Sequence, residues 1–264
     1  MRLGLIGCGS IGGAVAQAIG RGDLPGVDLI GAADARPVEA LGCPVWPVVG
    51  SLLDCKPDLV LEAASADAVR GCAESVLENG ADLMVVSVGA FADMDLLDRL
   101  VDLAQRNQRQ LYVPSGAIGG LDIIKAASMD GLEECRLTTT KPPRAFSNVA
   151  YVREQGIDLD GVRQATVLFD GTARRAACLF PQNLNVAVAI SLAGLGVDRT
   201  TVRIVADPAS IHNVHEVFVR GKFGEASVRL VNRPSPNNPK SSYLTSLSVI
   251  ATLRRISRQF QLGT

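Results

Sequence analysis

The chain has 264 residues, 47% of them hydrophobic, and a formal net charge of -1. That length can bury a large core in one domain or two. The near-neutral charge, with no run of lysines or arginines, argues against nucleic acid or an acidic membrane as partner, and no apolar stretch reaches the roughly 18 residues that span a bilayer.

Met1 leads straight into an apolar strand, Leu3–Ile6. This start leaves no room for a signal peptide, so a cytoplasmic protein is expected. The strand runs into Gly7-Cys8-Gly9-Ser10-Ile11-Gly12, and Ala14–Ile19 continues as an apolar helix. Strand, glycine turn and helix start in that order predict a dinucleotide site at Gly7, Gly9, Ser10, Ile11 and Gly12. The first glycine permits the tight turn, the second admits a pyrophosphate, and the third lets the helix pack on the strand. The helix-start amides and dipole favour the phosphates. The next strand, Asp28–Ala33, is followed by Asp34, about 20 residues downstream, where a carboxylate can accept from a ribose hydroxyl. Such a carboxylate repels a 2′-phosphate, which predicts NAD as cofactor. Arg36 stands two residues on and can meet that phosphate, so NADP is expected to be tolerated.

Strands follow at Leu59–Ala63, Leu83–Val88 and Gln110–Val113, alternating with helices at Asp67–Glu78 and Met94–Arg106 whose apolar residues recur every three or four positions. Near-continuous apolar strands separated by helices predict a doubly wound parallel sheet of Rossmann type over residues 1–113. Ligands bind beyond the carboxyl ends of such strands, which nominates the loops Ala63-Ala64-Ser65, Ser87-Val88-Gly89 and Pro114-Ser115-Gly116-Ala117.

From residue 114 the pattern changes. A helix is expected at Leu121–Met129, then strands at Arg136–Thr140, Ala165–Phe169, Thr201–Val205, His212–Val219 and Ala226–Asn232, with a hairpin turn at Gly221–Gly224. One apolar helix, Pro181–Leu195, interrupts them. Residues 114–235 therefore form a mixed-sheet α+β substrate domain. Residues 236–264 are a third piece, a final helix with Asn238 as N-cap and Pro239 in its first turn, returning to the first domain.

Six cysteines stand singly, none in a CxxC pair, and the two histidines are His212 and His215. No metal site is expected, and the thiols fit small buried residues in a reducing compartment. Histidine is the side chain suited to proton exchange near neutrality. On an extended strand His215 shares a face with Asn213, Val217 and Val219. Asn183 and Asn185 open the apolar helix and need hydrogen-bond partners, from a ligand or from neighbouring backbone. Lys141, and Lys240 with Ser241 and Ser242 at a helix start, are candidate carboxylate donors, with a solvated surface lysine as the plain alternative for each lysine.

Over essentially its whole length the chain resembles the L-aspartate dehydrogenase family. The resemblance is carried by GLIGCGSIG at 4–12, EAAS at 62–65, VVSVGA at 85–90, PSGAIGGLD at 114–122, TTTKPP at 138–143, LFPQNLNVA at 179–187, NVHEV at 213–217 and NPKSSYLTSLS at 238–248. It departs once, with Ser241 where the family has threonine, a change that keeps the hydroxyl. The resemblance implies a homodimer that oxidises L-aspartate to iminoaspartate, which water converts to oxaloacetate and ammonia. It allows a role in supplying iminoaspartate for pyridine-nucleotide synthesis. It implies His215 as the catalytic histidine and Ala117 and Asn185 as cofactor contacts, beside Ala64 and Ser65. Asn183, Lys240, Ser241 and Ser242 are then expected to hold the substrate. Two other readings share the two-domain plan: a homoserine dehydrogenase or dihydrodipicolinate reductase-like enzyme, and a catalytically silent dinucleotide-binding sensor.

Overall fold

The computed structural model describes residues 1–38, 41–180, 184–236, 238–260 and 262–263. The chain divides into two compact units, residues 1–116 with 245–262, and residues 117–244 with the extreme carboxyl terminus.

In chain order the first unit carries β1 (Arg2–Ile6), α1 (Ser10–Gly20), β2 (Asp28–Ala33), β3 (Val45–Trp46), α2 (Val49–Leu53), β4 (Leu59–Glu62), α3 (Ala66–Glu78), β5 (Asp82–Val85), α4 (Met94–Arg106) and β6 (Leu111–Tyr112). The strands form one parallel sheet in the order β3-β2-β1-β4-β5-β6. That is the doubly wound Rossmann order. The central strands read as continuous apolar runs because both faces are covered; all four residues of β4 are buried. Local signals start the helices. Ser65 Oγ accepts from Ala68 N–H at the head of α3, and Asp93 does the same for Leu96 at the head of α4. Leu96, Leu100 and Ala104 then place one face of α4 inward at helical spacing. Leu3, Leu5, Val15, Leu59, Leu61 and Met84 make the core, which Val249 and Leu253 of the carboxyl-terminal helix complete.

The second unit carries α5 (Leu121–Ser128), β7 (Leu132–Lys141), α6 (Ala150–Glu154), β8 (Thr166–Thr172), α7 (Ala173–Leu179), α8 (Leu184–Ala193), β9 (Thr201–Ala206), β10 (Asn213–Gly221), β11 (Gly224–Asn232), β12 (Pro234–Ser235) and β13 (Asn238–Ser242), and it holds the first two residues of α9 (Tyr243–Ile256). The five-stranded sheet has the order β11-β10-β7-β9-β8. It is mixed: β7 and β9 run parallel, and the other neighbours antiparallel. Alternation sorts its faces. Cys135, Leu137 and Thr139 on β7 and His215, Val217 and Val219 on β10 are buried, while Arg136, Glu216 and Arg220 are exposed. α8 packs on α5, α7 and β7. Phe146, Tyr151, Phe169 and Phe180 pack edge-on or tilted against one another. The β10–β11 hairpin turns through Lys222-Phe223, with Gly221 paired to Gly224, where the sequence places it.

Three local expectations are corrected. Asn238 and Pro239 do not open the last helix: residues 238–242 are strand β13, paired with β12, and the helix starts at Tyr243. β13 pairs antiparallel with β12 instead of opening a helix, and Tyr243 N–H is held by the Arg233 carbonyl at 3.0 Å. The strand begun at Leu83 stops at Val85, and Val88–Ala92 winds into a 3-10 turn. α7 lies where only a loop between strand and helix was expected. Pro181, the expected start of the next helix, lies outside the described residues.

The glycine turn has no room at two positions. Gly7 holds φ +92°, and a methyl there would come within 2.8 Å of the Ala63 and Ala64 backbone. A methyl on Gly12 would strike the Gly7 carbonyl oxygen. Gly12→Ala must therefore push α1 away from β1, and urea unfolding should show a loss of about 1–3 kcal/mol, the usual cost of overpacking. An unchanged unfolding midpoint would mean that the turn is slack.

Candidate active site

In the first unit the glycine turn leaves β1 and enters α1 with Gly9 as N-cap and no side-chain cap. The contacts of the four glycines divide in two. Gly7 and Gly12 are filled by backbone, whereas a methyl on Gly9 or Gly13 would meet nothing within 4 Å. Helix-start amides beneath open space, on a helix of 11 residues, suit a pyrophosphate.

Beyond the end of β2, Cys8, Gln17, Asp34, Arg36, Pro37, Val38 and Leu41 line a pocket of about 430 Å³. Asp34 ties this pocket to the turn. Its carboxylate accepts from the Cys8 N–H at 2.9 Å and the Arg36 N–H at 3.0 Å, and the Arg36 guanidinium lies 3.3 Å away. Burial pushes the Asp34 carboxyl up, but the Arg36 and Cys8 hydrogen bonds outweigh it and hold the group below the usual carboxylate range. Arg36 is largely exposed, with 77% of its side chain open to solvent, so it is free to turn from Asp34 to another anion. Burial first, then the Asp34 charge, raise the Cys8 thiol to about 11, so it remains a neutral thiol rather than a nucleophile.

Ala64 and Ser65 follow β4, and their conformation depends on Glu62, which sequence reasoning missed. Glu62 is fully buried. One carboxylate oxygen accepts from Ala64 N–H at 2.8 Å, Ser65 N–H at 3.0 Å and Ser87 Oγ–H at 2.8 Å; the other accepts from Ser87 N–H at 3.0 Å. Burial raises its pKa, and these four donors oppose the rise. One carboxylate thus fixes the loops after β4 and β5 together, both at the carboxyl edge where such sheets bind ligands. An acidic residue inside EAAS is the signal that could have found it.

In the second unit, register assembles a polar cluster on the helix-covered face of the sheet. His215 stands opposite Thr139 on β7 and Leu230 on β11, and Thr139 stands opposite Ile204 on β9. His215 Nδ1 and Thr139 Oγ1 are 3.0 Å apart and buried. Two residues on, Lys141 occupies the same face of β7, opposite Ala206. Two residues beyond Leu230 on β11, Asn232 is paired with Asn213 and buried. Asn232 donates to the Ala117 carbonyl at 3.0 Å and accepts from Ser242 Oγ at 3.1 Å. Gly119 and Gly120 pass over Val228 and Leu230. α8 covers the same face, since Ala187 and Thr139 help line a cavity of about 10 Å³.

Burial, and then the Lys141 charge, pull the His215 imidazole down to about 3. Burial alone pulls Lys141 down to about 8. The two residues share one face of the sheet, Lys141 two positions beyond the Thr139 that pairs with His215. Lys141 is partly buried, not the solvated surface residue that its place at a strand end suggested.

Gly7, Gly9, Ser10, Ile11, Gly12, Asp34, Ala64 and Ser65 are gathered at the carboxyl edge of the first unit's sheet. In the second unit His215 is held by Thr139, and Ala117 and Ser242 are both held by Asn232. Asn185 is exposed in the first turn of α8. Ser241 donates to the Asn238 carbonyl at 3.2 Å, so the expected helix-start amides at 240–242 are strand amides instead. Asn183 and the side chain of Lys240 lie outside the described residues. Among the described residues no group of His, Cys, Asp and Glu is arranged to hold a metal ion, and no helix is long and apolar enough to cross a membrane.

Two family profiles match the chain: "Aspartate dehydrogenase, C-terminal" over residues 122–256 and "Homoserine dehydrogenase, NAD binding domain" over residues 7–114. Two similar relatives are the L-aspartate dehydrogenases of Methanosarcina acetivorans, 42% identical, and Methanosarcina mazei, 43% identical, with all of both chains covered in each case. Among solved structures, the crystal structure of aspartate dehydrogenase from Thermotoga maritima superposes with a TM-score of 0.80 at 30% identity, over all of this chain and 99% of that one.

A histidine held near 3 stays neutral across the physiological range. In a proton NMR titration, the His215 ring resonance, assigned by His215→Asn, should show no step between pH 5 and 8. The unfolded chain, with an ordinary histidine pKa of about 6.5, takes up a proton that the folded chain refuses. Stability therefore falls as pH drops from about 6.5 toward 3, and the thermal midpoint should fall with it. A normal titration step near pH 6.5 would show that His215 is not buried as described.

Proposed function

We infer the function from one premise: the chain belongs to the aspartate dehydrogenase family. It is an NAD(P)-dependent amino-acid dehydrogenase that oxidises L-aspartate, and the observation that carries this is the buried Thr139–His215 pair, which lies in the half of the chain that the aspartate dehydrogenase profile covers. The homoserine dehydrogenase profile covers only the nucleotide-binding half, where the glycine turn alone does not choose a substrate.

The open space over Gly9 and Gly13 and the pocket beside Asp34 fit a nicotinamide dinucleotide, its pyrophosphate on the amides of Ser10, Ile11 and Gly12. When bound, the dinucleotide supplies the hydride acceptor for the substrate α-carbon. Ala64 and Ser65 on the Glu62 brace, with Ala117 and Asn185, would position it. Holding the reacting groups in place can itself lower the barrier by several kcal/mol.

His215 is the general acid/base. With Nδ1 engaged by Thr139, Nε2 is the atom left to face the substrate, where it takes the amine proton or, once that proton has passed to solvent, activates the water that attacks the imine. The products are oxaloacetate and ammonia. A base held near 3 is weak, but an anionic substrate beside it favours the imidazolium and moves it toward the working range. Asn183, Lys240, Ser241 and Ser242 remain the proposed substrate contacts. We further propose a cytoplasmic homodimer, supplying iminoaspartate for pyridine-nucleotide synthesis. The outer face of the mixed sheet, with Val167 and Val231 about half exposed, supports association through that face.

Two experiments test this reading. His215→Ala should lower turnover of aspartate by roughly 10²–10⁴ while NADH affinity, followed by fluorescence titration, stays near wild type. Unchanged turnover would remove His215 from the mechanism. For the cofactor, Asp34 favours NAD and the exposed Arg36 lets NADP be used. Arg36→Ala should raise the KM for NADP about tenfold or more, a loss of one charge-assisted contact, and leave that for NAD nearly unchanged. Initial rates with both dinucleotides decide it, and equal effects on both would reject the assignment.

A further inference from the structure

The helix start expected at 240–242 is a strand, so no helix-start amides are offered there to the carboxylates of the substrate. The second unit offers another cation. Lys141 ends β7 on the same sheet face as Thr139, two residues away, and Thr139 holds His215. Two residues of extended strand span about 6.6 Å, and a lysine side chain can bridge that distance. The positions around it in register are neutral: Asn213 and Asn232 beyond His215, and Ala206 opposite on β9. The Asn232 amide is occupied with Ala117 and Ser242, so it closes the end of this polar strip without contributing charge.

We propose that Lys141 is the substrate-specificity residue of this site, its ammonium pairing with a carboxylate of the amino-acid substrate that His215 acts upon. This rests on the reading that the protein oxidises aspartate. Three features favour the assignment. The side chain is partly buried, and an ammonium removed from water gains most from an anion. Lys141 lies two residues along the same sheet face from Thr139, which holds the His215 ring, so an anion that meets it lies on the face where the general base stands. That anion would also offset the lysine charge that disfavours protonation of His215, coupling recognition of the dicarboxylate to activation of the base. Binding and chemistry would then depend on one ion pair, and a substrate lacking the carboxylate would lose both.

The test uses the intact protein and two variants, Lys141→Met, which keeps length and loses charge, and Lys141→Arg, which keeps charge. Loss of one partner from a desolvated ion pair should raise the KM for aspartate at least 30-fold or so in Lys141→Met. Lys141→Arg should recover part of that loss. NADH affinity should stay within about twofold of wild type in both variants, since the first unit holds the dinucleotide. Succinate, a dicarboxylate without an amine, should inhibit the wild type competitively against aspartate and lose its effect in Lys141→Met. A KM within threefold of wild type, or NADH affinity lost together with aspartate affinity, overturns the proposal and leaves aspartate oxidation standing. If the wild type oxidises no aspartate, the wider reading fails. Calorimetric titration of succinate into the NADH complex then decides Lys141: binding that Lys141→Met abolishes supports it, and equal binding or none to the wild type overturns it.

Discussion

The register of β10 against β7 is the constraint on which the catalytic half depends. Slipping β10 by one residue would turn His215 to the outer face and bring Glu216 into its place, because side chains alternate with a period of two. Several features oppose the slip. β10 is paired along both edges, with β7 and β11, so any shift must break two ladders. A two-residue turn fixes β11 to β10, and Val217 and Val219 share the buried face with His215. The Thr139–His215 bond adds a polar lock that forms in one register only. Apolar burial therefore aims a polar residue, and the histidine pays in desolvation for being held so firmly.

The nucleotide-binding half solves a similar problem with a single ionisable group. Loops after parallel strands have no ladder to shape them, and their amides need acceptors. Glu62 supplies these from inside the sheet, satisfying three amides and a hydroxyl across two loops. Four donors make a buried carboxylate tolerable, whereas a neutral residue there would leave those amides unmet. Asp34 performs the smaller version of the task, binding the glycine turn to the segment after β2.

Much of this was legible in the sequence because it is local. The glycine turn, the alternation of strand and helix, and the face of His215 follow from spacing alone. The Lys222-Phe223 turn was equally plain. What sequence could not supply depends on partners distant along the chain. Thr139 is 76 residues from His215, and Asn232 is 115 from Ala117, so neither pair carries a spacing signal. Lys141 looked like a surface cation because it ends a strand and precedes two prolines, and only the sheet face on which it falls shows otherwise. At residues 238–242 the local signal was overridden. Asn-Pro can cap a helix, and pairing of β13 with β12 decided for a strand.

Asn232 has a topological consequence. Its side chain touches Ala117, the first residue of the second unit, and Ser242, two residues before that unit gives way to the rest of the last helix. The 128 residues from Ala117 to Leu244 thus begin and end at one amide. In lineage terms they have the form of an insert, a closed excursion spliced into a host that resumes where it was interrupted. Closely spaced ends are what allow one domain to be carried inside another without unravelling either. Asn232 serves that module as its clasp.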